Sequence, residues 1–178
     1  MSYPELEQIF RKHGFDNFKW IKASDIVVAQ WVRMKCMYGC GSYGKKGSCP
    51  PSTPSINECR EFFSEYSEAV VFHITARLDN PEERDRFSRE INTRLLEVER
   101  EVFLKDFRKA FLLFMDECQL CSLCPGSIDE CVNHKMMRPC PESMGVDVFA
   151  TVGKYDLPIK VLTDYDEEMN RYAFILIN

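Results

Sequence analysis

The chain has 178 residues, of which 45% are hydrophobic and 29% charged, and its formal net charge is −5 at pH 7. This length is enough for one globular domain with its own core, and the composition excludes a disordered chain. The negative charge argues against nucleic-acid binding, which needs a clustered basic face, and Lys35, Lys45 and Lys46 form only a small basic group. The longest apolar stretch, residues 110–115, is far too short to span a membrane.

The predicted elements begin with a helix. Ser2 and Glu5 have the spacing of a capping box, and the apolar face that follows ends at Gly14. Short runs of β-branched and aromatic residues predict strands over residues 18–23 and 27–32.

The middle of the chain predicts two helices and two buried strands. One helix runs over residues 54–66 with Thr53 as its cap, and a strand follows at residues 69–76. Asn80 opens the longest helix, and residues 109–115 form the next strand. The apolar positions of the long helix step by three and four residues and form one stripe, namely Phe87, Ile91, Leu95, Val98 and Val102.

The last elements are a helix over residues 141–152 and a strand over residues 172–177. We therefore predict an α/β or α+β fold with a single sheet of about four to five strands and flanking helices. Two cysteine-rich segments without periodicity lie between these elements as metal-binding loops. We call residues 36–54 the first cysteine segment and residues 118–140 the second cysteine segment. We expect one domain, residues 1–178.

Cysteine is the unusual component of this chain. Nine cysteines in 178 residues are many for a cytosolic enzyme and few for a disulfide-stapled secreted domain. The number is odd, and the first residues do not resemble a secretory signal, so we expect a cytoplasmic protein with free thiols. Closely spaced free thiols indicate a metal site, with redox sensing through a disulfide as the alternative.

The second cysteine segment contains the strongest motif. Cys118, Cys121 and Cys124 form a C-x2-C-x2-C run, the spacing that holds three corners of a four-iron cluster in bacterial ferredoxins. The fourth ligand is either Cys131 or Cys140, which precedes a proline. Zinc in a four-cysteine site is the alternative, although zinc sites usually pair two CxxC knuckles.

The first cysteine segment offers Cys36, Cys40 and Cys49 as ligands. Cys59 would complete a four-cysteine site, and its alternative role is that of a small buried hydrophobic residue. If the first three cysteines alone hold a cluster, one iron keeps an open position. Four glycines allow close approach of the backbone and offer amide donors to cluster sulfurs: Gly39, Gly41, Gly44 and Gly47.

The other polar residues do not form a catalytic set. His134, between two cysteines, is interpreted as a hydrogen-bonding loop residue rather than a ligand. The acidic residues around the cysteines are interpreted as caps or solvated side chains: Asp116, Glu117, Glu142 and Asp147. No Ser-His-Asp or Cys-His arrangement is apparent, so the sequence predicts a place for metal without predicting a reaction.

The two cysteine segments together resemble a family of predicted metal-binding proteins, grouped under a domain of unknown function and found mostly in archaea and anaerobic bacteria. The first block of the family is matched by Cys36, Cys40, Tyr43-Gly44 and Cys49-Pro50-Pro51. The second block is matched by Cys118, Cys121, Cys124 and Cys131, and the tail by Arg138-Pro139-Cys140, Glu142, Gly145 and Asp147-Val148.

The resemblance covers nearly the whole chain and departs from the family pattern twice. Cys140 stands where the family usually has serine, and Val-Asn-His follows Cys131 where the family tends to have arginine and proline. The resemblance implies metal binding and implies no particular reaction.

We accordingly expect an iron–sulfur protein with one or two clusters, each a four-iron cluster, that carries electrons or assists a redox enzyme. Its acidic surface would suit a redox partner protein with a basic patch. The alternatives are an enzyme with an open-site cluster and a zinc-stapled interaction module. Neither a membrane nor a nucleic acid is an expected partner.

Overall fold

The computed structural model of the protein describes residues 3–164 and 167–178. In this part of the chain, one open antiparallel sheet has four strands in the order β1-β2-β4-β3. The strands are β1 (Phe18–Lys22), β2 (Glu68–Ala76), β3 (Phe111–Leu113) and β4 (Met169–Leu176). The mixed fold with a single sheet is confirmed.

Helices cover both faces of this sheet. The helices are α1 (Tyr3–Lys12), α2 (Gln30–Gly39), α3 (Ile56–Ser64), α4 (Pro81–Phe103) and α5 (Val148–Gly153). Val70 and Phe72 of β2 point into a core with α1 and α4, whereas Ala69 and Val71 point into a second core with α3 and α5. Because both faces are buried, the strands appear in the sequence as continuous apolar runs. None of the described helices is long and apolar enough to cross a membrane.

The long helix α4 follows its sequence signals closely. The side chain of Asn80 accepts a hydrogen bond from the backbone N–H of Glu83 at 3.0 Å, and Pro81 occupies the first turn. The apolar stripe packs into the first core, with Ile91, Leu95, Val98 and Val102 buried.

The start of α3 lies later than predicted. Ser55 is its cap: the Ser55 hydroxyl accepts from the N–H of Glu58 at 3.3 Å, and the Glu58 carboxylate accepts from the N–H of Ser55 at 2.8 Å. Thr53 instead donates to the carbonyl of Ser143 at 3.0 Å. The capping box predicted at Ser2 lies outside the described residues.

The strand predicted over residues 27–32 is wrong. Val28 forms only an isolated bridge with Val146, and α2 begins two residues later at Gln30. Tertiary contacts outweigh the β-branched composition, because Arg33 of this helix donates to the carbonyls of Pro54 and Ser143 at 2.9 and 3.0 Å. The first cysteine segment is therefore helical until Gly39.

The helix predicted over residues 141–152 is interrupted. A 3₁₀ turn covers Glu142–Met144, and α5 follows it from Val148. Gly145 separates them with φ of 78°, a conformation that favours glycine. Asp147 then caps α5, accepting from the N–H of Ala150 at 2.9 Å, as the sequence analysis anticipated for this carboxylate.

Candidate metal centre

Four thiols of the second cysteine segment line one small cavity, which we call the second cavity: those of Cys118, Cys121, Cys124 and Cys131. Its volume is about 10 Å³, about that of one water molecule, so a four-iron cluster would fit between these thiols only if the surrounding loop moved outward. Gly47 and Ser48 close the cavity from the first cysteine segment. Ser48 Oγ is buried and has no hydrogen-bond partner among the described residues.

The thiols of the second cavity have few polar neighbours. Asn133 Nδ2 donates to the sulfur of Cys121 at 2.9 Å. Burial is the main cause that raises the pKa of Cys118, and the neighbouring cysteines raise it further. Buried thiols of this kind require a cation to stabilise the thiolate form that ligates metals.

Four other cysteines line a larger cavity of about 200 Å³, which we call the first cavity: Cys36, Cys40, Cys49 and Cys140. Cys36 lies on α2, and Cys40 follows directly after it. Cys140 comes from the second cysteine segment and precedes the 3₁₀ turn. Burial is the main cause that raises the pKa of Cys49 to about 12, and it raises the pKa of Cys140 well above its ordinary value.

Contacts between α2 and the 3₁₀ turn bring Cys140 to the other three cysteines. The Cys36 thiol lies 3.9 Å from the carbonyl of Glu142, and Arg33 donates to the carbonyl of Ser143 at 3.0 Å. Ser143 in turn donates to the carbonyl of Cys140 at 2.8 Å. The turn therefore holds Cys140 against the helix that carries Cys36.

Charged side chains also line the first cavity: Arg84, Asp116, Glu117, Glu142 and Arg171. Asp116 accepts from Arg84 at 3.1 Å and lies 3.9 Å from Arg171. The residue Glu142 is exposed to this cleft, yet surrounding protein desolvates its carboxyl group and raises its pKa. The sequence analysis interpreted these acidic residues as caps or solvated side chains. Their position directly before or near cysteines was the sequence signal that could have placed them at the cavity.

The two cavities are neighbours because the two cysteine segments pack against each other. Ser42 donates to the carboxylate of Glu117 at 2.7 Å, and Lys46 donates to Gln119 at 3.3 Å. Gly47 and Ser48 line the second cavity, whereas the next residue, Cys49, lines the first. One short piece of backbone therefore separates the two groups of thiols.

Comparison with known protein families matches most of the chain to one family. Residues 19–177 match the family described as Predicted metal-binding protein (DUF2284). The chain belongs to this family. The match includes both cysteine segments, so the resemblance inferred from the cysteine blocks is confirmed. No curated protein and no solved structure matches the chain.

Cys59 and His134 of this DUF2284 protein line neither cavity. Cys59 lies on α3 in the second core, is 0% exposed, and donates to the carbonyl of Pro54 at 3.6 Å. This environment fits the alternative role of a small buried hydrophobic residue. His134 is exposed.

The thiols surround cavities and do not converge on one point. Within residues 3–164 and 167–178, no group of three or more His, Cys, Asp or Glu side chains is arranged to hold a metal ion. The donor chemistry nevertheless fits a soft metal, since thiolates are the ligands taken by zinc, copper(I) and iron–sulfur clusters. The buried hydroxyl of Ser48, without a partner among the described residues, is a further polar group of the lining.

Proposed function

We propose that this protein binds two iron–sulfur clusters and transfers electrons or assists a redox enzyme. The observation that supports this proposal is the division of the cysteines into two adjacent sets of four, one at each cavity. The ligands of the second centre are Cys118, Cys121, Cys124 and Cys131. The ligands of the first centre are Cys36, Cys40 and Cys49, with Cys140 as the fourth in place of Cys59.

The spacing of the cysteines supports iron–sulfur clusters over zinc. Three cysteines of the second centre lie in one C-x2-C-x2-C run, which is typical of four-iron clusters, whereas zinc sites usually pair two separate knuckles. Two adjacent centres provide separate points of entry and exit for an electron.

The residues around the thiols have defined tasks in this proposal. A bound cluster supplies a one-electron centre whose potential depends on hydrogen bonds to sulfur. Asn133 provides such a bond to Cys121. The buried thiols release their protons when the ligand set is loaded, so loading becomes stronger as the pH rises. The net charge of −5 favours a partner protein with a basic docking face.

An open-site cluster enzyme is the second candidate, and the polar wall of the first cavity favours it. If Cys140 does not ligate, three cysteines hold the first centre and one iron faces a cavity of about 200 Å³. Arg171 and Glu142 line that cavity and offer a cation and a carboxyl group to a substrate.

The test is the metal content of protein purified without oxygen. We expect about eight iron and eight sulfide per chain with broad absorption near ~400 nm. Cys124→Ser and Cys49→Ser should each remove about half of the iron, because each variant damages one centre. Cys59→Ala is the matched control and should keep all of it. A colourless protein with stoichiometric zinc would contradict the proposal and leave a structural module.

A further inference from the structure

A third cavity adjoins the first cavity. Its volume is about 430 Å³, within the range of roughly 300–1,000 Å³ typical of small-ligand sites. Arg84, Glu142 and Arg171 line both cavities. An occupant of the third cavity would therefore lie beside the cysteines of the first centre.

The third cavity has an apolar part of its lining, and some of these side chains are exposed to solvent. This part is formed by the start of α5 with Val148 and Phe149, and by Ile159, Val161 and Leu162 of the segment that precedes β4. Val161 is 76% exposed and Phe149 is 46% exposed. Contiguous exposed apolar side chains beside a cavity mark a binding surface for an apolar group.

Arg171, on β4, is one of the cations that line the third cavity. Its side chain is only 26% exposed, and its Nη1 lies 3.9 Å from Asp116. Nη2 contacts the sulfur of Met169 at 3.7 Å, and the buried Nε has no hydrogen-bond partner. Among the described contacts, this guanidinium makes no hydrogen bond to an oxygen. Unmet donors in a partly buried site are costly, so an acceptor from a ligand would complete it.

The other cations of the third cavity are already engaged. Lys160 pairs with Glu167, and Arg84 donates to Asp116 at 3.1 Å. Arg171 is therefore the cation whose donors remain available for an anionic group. Arginine binds carboxylates through two parallel hydrogen bonds, which gives such a site its specificity.

We propose that the third cavity binds a small carboxylic acid with an apolar body. The carboxylate accepts hydrogen bonds from Arg171, and the apolar body lies against Phe149 and Val161. The binding itself depends only on this cavity, whereas the placement of the ligand beside a metal centre rests on the proposed function.

The test is calorimetric titration of the full chain, purified without oxygen, with octanoate, octan-1-ol and octylammonium as probes. We expect octanoate to bind at least about tenfold more tightly than either of the others, because only octanoate offers a charged acceptor. Arg171→Gln should weaken octanoate binding by about tenfold or more. The control Arg86→Gln, at an exposed position of α4, should not change it.

A second variant tests the proposal at an exposed position of the cavity lining, away from Arg171. Val161→Glu places a negative charge at the mouth and should weaken octanoate binding, whereas Leu104→Glu, at another exposed apolar position, should not. The proposal is overturned if octanoate and octan-1-ol bind equally tightly. It is also overturned if Arg171→Gln and Val161→Glu both bind octanoate as tightly as the unchanged protein. Metal analysis of the same preparation distinguishes the carboxylate site from the iron–sulfur function. If octanoate binds to a preparation that contains no iron, the carboxylate site is supported and only the iron–sulfur function is refuted.

Discussion

The side-chain amide of Asn133 lies 2.9 Å from the sulfur of Cys121, twelve residues earlier in the chain. A hydrogen bond to a ligand sulfur stabilises the more negative, reduced state of a cluster.

Asn133→Ala should therefore make the potential of the second centre more negative. The loss of one charge-assisted hydrogen bond corresponds to a shift on the order of tens of millivolts for a one-electron couple. A redox titration followed by electron paramagnetic resonance measures this shift. Asn57→Ala, on the exposed surface of α3, is the control. An unchanged potential in Asn133→Ala would show that this amide does not bond to a ligand sulfur.

Cys140 and Cys59 differ in what they face, although both are buried. Cys140 lines the first cavity, whereas Cys59 packs in the second core. Cys140→Ser should lower the iron content or give the first centre an altered spectrum, because a serine oxygen is a poorer ligand for a soft site. Cys59→Ala should change only stability, by about 1 kcal/mol. The opposite result, with iron lost only from Cys59→Ala, would restore Cys59 as the fourth ligand.

Gly47 lies where the two cysteine segments pack closely against each other. A Cβ added at Gly47 would lie 2.7 Å from the carbonyl oxygen of Ser127, whereas a Cβ at Gly41 would meet nothing within 4 Å. Gly47→Ala should lower the free energy of unfolding by about 1–3 kcal/mol, because backbone atoms must move apart. Gly41→Ala should have little effect. Urea unfolding of both variants checks this, and equal stability of the two would contradict the tight packing.

Arg138 ties the second cysteine segment to α4. It donates to the carboxylate of Glu99 at 2.8 Å, and the Glu99 side chain is only 8% exposed. Arg138→Met should lower the free energy of unfolding by about 3 kcal/mol, since it leaves a buried carboxylate without its cation. Arg100→Met is the matched control, because Arg100 meets Glu97 at 3.9 Å on the surface and should contribute less than about 1 kcal/mol. A similar loss of unfolding free energy in Arg138→Met and Arg100→Met would contradict a buried ion pair between Arg138 and Glu99.

Long periodic elements could be predicted from the sequence because their signals are local. The stripe of α4 and the apolar run of β2 depend on the spacing of neighbouring residues, and both are present in the structure. The prediction of a strand over residues 27–32 was wrong because valines favour a strand only when a partner strand is available. Here Val28 pairs with Val146 alone, and the chain turns into α2.

The composition of the candidate centres was only partly predictable. The C-x2-C-x2-C run and Cys131 share one loop, so their meeting follows from short separations in sequence. Cys140 joins Cys49 across a separation that no local pattern encodes, because packing of α2 against the 3₁₀ turn decides it. Arg171 was not anticipated for the same reason, since its neighbours in the cavity come from distant parts of the chain.

The position of β4 in the sheet has a consequence for biosynthesis. β4 lies between β2 and β3, yet it follows both cysteine segments in the chain. The ribosome adds about 5–20 residues per second, so the cysteines of both segments emerge seconds before the central strand that completes the sheet. During that interval the thiols are exposed to oxidants and to adventitious metals. If these thiols hold a metal as proposed, its loading has to follow the synthesis of β4, or the cysteines need protection until then.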